Sequence, residues 1–383
     1  MKRLRLEDIA PFRQGCCTDE EDIWLLNLDM VESNTGNIID FQIVSKEEIG
    51  SSTIAFDINN ILYSKLRPYL NKVVLPKRSG YATSEMIPLM PKQNIVTREY
   101  LTYFLRSPRF VEYINSKTAG AKMPRANTRD LKEVLVPCPT IEKQRFIVEQ
   151  IDKIRIIIEL YKQEIEQLDL LMKARFVEMF GDMLLNSKNW PEVRLDEIAD
   201  IVSGITKGRK IKEQKLFEVP YMAVSNVKDG YIDWTTVKTI MASQAEINKY
   251  QLKPFDVLMT EGGDPDKVGR GAIIHEPPEN CIHQNHIFRV RLDRNILLPE
   301  YMEQYLQQQK AKRYFLGCAK QTTGIASINM RQLTGLPVVV PEMQLQKEYV
   351  SFVHQVDKSK VEVQKALDKT QMLFDSLMQQ YFG

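Results

Sequence analysis

The sequence predicts an α+β protein in which two α/β bodies are separated by two long antiparallel coiled-coil helices, arranged as a pseudo-two-fold internal repeat. Three observations carry this. Between Pro139 and Gly181 the apolar residues Ile147, Ile151, Ile154, Ile158, Tyr161, Ile165, Leu168 and Met172 alternate steps of four and three, the period of a coiled-coil seam. A gap-free shift that carries Pro139 onto Pro341 and Gln144 onto Gln346 also brings Tyr349, Val353, Val356, Val363, Leu367 and Phe374 onto that seam, and Phe382-Gly383 onto Phe180-Gly181. Arg5-Leu6-Glu7-Asp8-Ile9-Ala10 returns as Arg194-Leu195-Asp196-Glu197-Ile198-Ala199, so both halves open alike.

Taken in order, each half begins with that short helix, and Gly15 matches Gly204. Mid-half, Asn60-Ile61-Leu62-Tyr63-Ser64 corresponds to Asp256-Val257-Leu258-Met259-Thr260, a β-rich run after polar turn residues. Late in each half, the stretches from Asn127 to Leu131 and from Asn329 to Leu333 read as a helical turn. A strand follows each, running into Pro139 and Pro341. Proline cannot continue a ladder and its fixed φ suits a helix entry. The long helices are expected to begin around Ile141 and Met343 and to run about 39 residues, roughly 58 Å at about 1.5 Å per residue. The resulting division is 1–139 for the first body, 140–181 for the central helix, 182–190 for a short polar linker, 191–341 for the second body and 342–383 for the C-terminal helix. Such a heptad pattern also suits a homodimeric coiled coil, but the internal copy supplies a partner at higher effective concentration. Lys360 and Thr370 interrupt the second seam, where a polar residue costs stability but fixes register.

At 383 residues the chain exceeds one ordinary core, and 43% apolar with 27% charged residues is a globular composition. No transmembrane run and no signal-peptide pattern is present, and five cysteines, including the adjacent Cys16-Cys17, fit a reducing compartment; a cytoplasmic location is expected. The net charge of +2 says little by itself, because acidic helices can mask local basic surfaces.

The helix entry Pro-Cys-Pro-Thr-Ile-Glu-Lys-Gln-Arg-Phe-Ile (137–147) and exit Lys-Ala-Arg-Phe-Val-Glu-Met-Phe-Gly-Asp (173–182) carry a family resemblance, as do Ile61 to Val73 and Met259 to Gly271. The chain resembles the specificity (S) subunits of type I restriction-modification systems, the HsdS family, over essentially its whole length. The second copy departs from the pattern, its entry reading Pro-Glu-Met-Gln-Leu-Gln-Lys with Gln344 in place of Glu142. The resemblance implies that the two bodies are target recognition domains reading a bipartite, asymmetric site in double-stranded DNA. It also implies a non-catalytic chain that carries modification (M) subunits, which use S-adenosylmethionine to methylate adenine, and restriction (R) subunits, which use ATP and Mg. No cofactor is expected in this chain. Two rival readings are a specificity subunit of a stand-alone methyltransferase system and a coiled-coil scaffold that does not bind DNA.

The residues agree with a non-catalytic role. No Asn-Pro-Pro-Tyr-type loop is present, and Gly204-Ile-Thr-Lys-Gly-Arg-Lys has the wrong spacing for a phosphate loop. Asp264-Pro265-Asp266-Lys267 reads as a glycine-flanked turn displaying Lys267 and Arg270 rather than a nuclease cluster. Cys281, His283 and His286 lie in a β-rich segment that does not converge them as metal ligands. Candidate DNA contacts in the first body are Lys65, Arg67, Asn71, Lys72, Lys122 and Arg125, interleaved with Tyr63 and Tyr69. In the second they are Lys207, Arg209, Lys267, Arg270, Gln284, Asn285, Lys320 and Gln321. Lys and Arg neutralise phosphate, while Arg, Asn and Gln can pair with base edges. Gln284-Asn285 is the expected base reader, its alternative being amides that satisfy strand-end backbone. The exposed helix faces and the shared ends near Phe180 and Phe382 are the expected docking surfaces for partner subunits.

Overall fold

A computed structural model describes residues 2–16, 23–120, 122–209, 215–263, 268–322 and 325–383. The chain divides into two compact units: unit 1 comprises Met1–Gln163 and Val363–Gly383, and unit 2 comprises Glu164–Glu362. Each unit therefore holds one α/β body and half of each long helix.

In unit 1 the buried run Ile61–Ser64 is the centre of a three-stranded sheet, flanked by Val73–Val74 and Met86–Leu89. A second sheet has the order Gln42–Val44, Ile23–Leu26, Gly80–Thr83, Thr53–Phe56. Two helices follow, Arg98–Arg106 and Pro108–Ser116. Thr97 caps the first by accepting from the Tyr100 amide, and Ser107 ends the first and caps the second ahead of Pro108. Strand Lys2–Arg5 pairs antiparallel with Leu135–Cys138, which holds the start of the body against its end.

Unit 2 repeats this plan. Val257–Thr260 lies between Ile287–Leu292 and Gly271–Ile273, with Ala199–Ser203 beyond, and Phe217–Met222 lies between Lys238–Ala242 and Ile282–His283. Helices Pro299–Leu306 and Gln309–Cys318 follow, and Glu192–Arg194 pairs with Pro337–Val339.

The repeat holds down to single hydrogen bonds. Gln144, fully buried, accepts from the Thr97 amide (2.8 Å) and donates to the Ile95 and Pro139 carbonyls (both 2.9 Å). Gln346 does the same with the Leu298 amide (2.9 Å) and the Ile296 and Pro341 carbonyls (3.0 and 2.8 Å). Tyr100 donates to the Pro137 carbonyl and Tyr301 to that of Val339, both at 2.9 Å. A shared glutamine and a shared tyrosine thus lock each helix entry to its body.

Both long helices are continuous, Ile141–Phe180 and Met343–Phe382, 40 residues each. Within unit 1, Ile147 and Ile151 near the start of the first helix share a core with Met378 and Phe382 at the end of the second. Within unit 2, Met172, Phe176 and Phe180 meet Tyr349, Val353 and Val356. Early residues of one helix pack on late residues of the other, so the pairing is antiparallel. The polar seam residue Lys360 reaches Asp169 on the facing helix at 2.6 Å, and the Thr370 hydroxyl donates to its own helix at Ala366 (2.8 Å).

Two expectations need correction. Phe180 and Phe382 are buried, packed edge-on or tilted against Tyr301 and Tyr100 with ring centroids 4.9 and 5.2 Å apart, so these rings cannot dock partners. Residues 182–190 are more than a polar connection. Met183 is buried in the unit 2 core, the Lys188 ammonium donates to the Met179 carbonyl (2.8 Å), and Trp190 Nε1 donates to that of Phe180 (3.0 Å). The helix end leaves its last carbonyls without helical partners, and these donors satisfy them.

Candidate nucleic-acid interface

In each unit the same three segments meet at one junction. In unit 1 the Lys65 amide donates to the Glu85 carbonyl (3.0 Å) and the Lys65 carbonyl accepts from Ala126 (2.8 Å). The hairpin Thr118–Ala119/Arg125–Ala126 is thereby tied beside residues 64–67. In unit 2 the Glu261 amide donates to the His286 carbonyl (3.0 Å) and its carbonyl accepts from Ile328 (2.8 Å). There the hairpin Lys320–Thr322/Ile325–Ser327 gains a third strand, Gly262–Gly263.

The backbone frame is shared, but its side chains differ. Lys65 in unit 1 stands where unit 2 has Glu261. At this junction unit 1 pairs Arg125 with Glu85, with Nη2 2.9 Å from Oε1, whereas unit 2 pairs His286 with Glu261 at 2.5 Å. The hydrogen bond from Arg125 holds the Glu85 carboxyl below its ordinary value. Sequence reading passed over Glu85 and Glu261, because a lone acid carries no signal until the fold sets a cation beside it.

The other candidates sort by what they touch. Arg67 is exposed: its own φ of 49° and that of Asn71 at 50° make a tight turn with Pro68 between them, and the Arg67 amide is anchored to the Pro124 carbonyl at 2.7 Å. Tyr69 beside it is 49% exposed. Lys122, Lys207 and Lys320 are exposed and Lys65 is half-buried. By contrast, Lys72 reaches inward to the Leu28 carbonyl (2.6 Å), and burial lowers its pKa. Asn71 donates to the Arg106 carbonyl at 3.1 Å. Arg209 is paired with Glu246 (Nη2 to Oε2, 2.6 Å) and donates to the Met241 carbonyl.

Arg270 is half-buried with Nε sealed from solvent rather than displayed on a turn tip, because its carbonyl is drawn into the ladder by Thr260. Lys267, like Asp264 to Asp266, lies outside the described residues, and for Gln321 only the strand backbone is described. Gln284 Oε1 accepts from the Val224 amide (3.4 Å), and Asn285 Nδ2 lies 3.3 Å from His286 Nε2. The Gln284 amide therefore serves strand-end backbone.

His283 is fully buried, and its Nδ1–H donates to the Ile287 carbonyl (3.0 Å). Burial, helped by Arg289 and Arg291, pushes its pKa down to about 4 from an ordinary 6.5. The unfolded chain therefore binds a proton that the folded one refuses, and unit 2 is expected to lose stability as pH falls from 6.5 towards 4. Denaturation midpoints across that range should fall for the natural chain and flatten for His283→Gln; parallel curves would refute the assignment.

Two bodies on shared helices, each carrying the same junction with different side chains, define an internally repeated two-unit protein. Residues 1–170 and 187–370 match the type I restriction modification DNA specificity domain, and the chain belongs to that family. It is 24% identical over 307 residues to the type I restriction enzyme EcoKI specificity subunit of Escherichia coli K12, spanning 76% of this chain and 66% of that protein. It is 24% identical over 352 residues to the MjaVIII specificity subunit of Methanocaldococcus jannaschii, spanning 84% and 79%. The fold is shared with the type I restriction-modification system S subunit from M. genitalium (TM-score 0.56, 16% identity, covering 100% of this chain and 96% of that one). It is also shared with a chain from a study of complex assembly and conformational transition of the type I R-M system (TM-score 0.63, 17% identity, 100% and 97%). Among the described residues no helix is long and apolar enough to cross a membrane.

Proposed function

We propose that this chain is a non-catalytic, cytoplasmic specificity subunit of a type I restriction-modification system. Residues 1–139 and 191–341 are its two target recognition domains, each reading one half of a bipartite, asymmetric site in double-stranded DNA. The helices 140–181 and 342–383, joined to the second body through 182–190, fix the unread spacer. Modification subunits supply methylation with S-adenosylmethionine, and restriction subunits supply ATP- and Mg-dependent cleavage.

The observation that carries this reading is the junction repeated bond for bond with different side chains around Lys65 and Glu261. A constant frame with variable contents suits two unlike half-sites. We assign phosphate contacts to Arg67, Lys122, Lys207 and Lys320, which the fold leaves exposed, and to the half-buried Lys65 at the junction itself.

Adenine-methylation sequencing in cells carrying this chain and its modification partner is expected to return a split asymmetric motif that vanishes when the chain is deleted. A pattern unchanged by deletion, with the partner active, would favour the scaffold reading. In titrations of target DNA, log affinity should fall linearly with log salt because bound counterions are released. Arg67→Ala or Lys320→Ala should reduce that slope by about one and weaken all sequences alike. Lys72→Ala, which removes an internal bond, should alter stability and leave the slope as it was.

A further inference from the structure

The junction of unit 1 holds one guanidinium by a single edge. Arg125 Nε lies 3.2 Å from both carboxylate oxygens of Glu85, and Nη2 lies 2.9 Å from Oε1. Glu85 therefore occupies the edge that runs from Nε to Nη2. The other edge, made by Nη1 and the second Nη2 hydrogen, has no partner among the described residues. The Arg125 side chain is 45% exposed and that of Glu85 24%, so the acid is the more covered of the two.

This pair is not what holds the hairpin in place. Backbone bonds do that, from Ala126 to the Lys65 carbonyl (2.8 Å) and from Arg67 to that of Pro124 (2.7 Å), with a bridge between Leu66 and Arg125. A partly exposed ion pair adds little to stability. Its consequence is orientation, because Glu85 restrains a long side chain that otherwise samples many rotamers. Phosphate, which accepts from many directions, needs no such restraint. A base edge does, since its acceptors lie in one plane at fixed separation.

The internal repeat supplies a comparison. Ala126 and Ile328 donate to the equivalent carbonyls of Lys65 and Glu261, which makes Arg125 and Ser327 equivalent. Ser327 offers a single hydroxyl, and the acid of that junction, Glu261, meets His286 instead. One frame thus carries an aligned two-pronged donor in unit 1 and none at the same position in unit 2.

We propose that Arg125, aligned by Glu85, reads a guanine in the half-site bound by unit 1. The free edge donates to O6 and N7 in the major groove. Adenine presents an amino donor where guanine has O6, and neither pyrimidine offers two adjacent acceptors there. Glu85 is a positioning residue that acts through Arg125. The inference rests on unit 1 being a target recognition domain.

The test maps adenine methylation in cells carrying the modification partner with the natural chain, Arg125→Ala or Glu85→Ala. The natural motif should contain a guanine that Arg125→Ala makes degenerate, discrimination falling about tenfold, with the other half-site and the spacer unchanged. Glu85→Ala should relax the same position to a smaller extent. Binding of the purified complex to that target supplies the second measurement. Replacing the guanine by 7-deazaguanine, which removes N7, should weaken the natural complex several-fold and leave the Arg125→Ala complex indifferent. Unchanged melting temperatures check that both variants fold. Equal weakening of all sequences by Arg125→Ala, or the same 7-deazaguanine penalty in both complexes, overturns the proposal while the recognition role stands. A methylation pattern that ignores deletion of the chain, with the partner active, overturns that role and this inference with it.

Discussion

Gln144→Ala should destabilise unit 1 by about 3 kcal/mol, one of the larger effects available to a single polar substitution here. The side chain is fully buried and serves three backbone groups, the Thr97 amide and the carbonyls of Ile95 and Pro139. Alanine removes all three bonds and leaves those groups in a site built to exclude water. The cost of an unsatisfied buried amide or carbonyl exceeds the modest net gain of a satisfied one. Two units need not unfold together, so a single global midpoint is a poor readout. Hydrogen exchange at the Thr97 amide is the direct one, and it should accelerate by about two orders of magnitude. The internal repeat sharpens the test, since Gln346→Ala should do the same to Leu298 in unit 2. Loss below about 1 kcal/mol in both variants would mean that water replaces the amide and that the glutamine is not the lock on the helix entry.

Deleting one heptad from each long helix should shorten the unread spacer of the target while leaving both half-sites intact. Seven residues are close to two helical turns and about 10 Å, so the seam residues keep their face while the helix shortens. Ten angstroms of duplex is about three base pairs, which also turns the second half-site by roughly 100°. The natural target should therefore lose most of its methylation, and a target with a spacer three base pairs shorter should gain it. Removing the heptad from one helix alone should break the seam and abolish activity on both. Methylation mapping reads all three outcomes, and an unchanged spacer in the double deletion would remove the ruler idea.

Much of this protein is written in its periodicity. The four-and-three spacing from Ile147 to Met172 predicts a long seamed helix, and the structure buries or half-buries each of those residues. The gap-free second copy predicts the partner helix, and the shared Gln144 and Gln346 mark the helix entries that they lock. These features are legible because burial along a helix imposes a repeat that needs only local spacing to recognise.

What composition and spacing could not give is which basic or amide residues remain at the surface. Lys72 and Arg67 look alike in the sequence, yet one reaches in to the Leu28 carbonyl and the other is turned out by left-handed backbone at its own position. Arg209 and Arg125 are paired with acids 37 and 40 residues away. Gln284 serves a backbone amide 60 residues distant. The sequence by itself determined the doubled plan, the helix lengths and the antiparallel seam. Tertiary structure alone decided which charges are exposed and which are paired, because those outcomes depend on contacts between residues far apart in the chain, for which a sequence carries no local period.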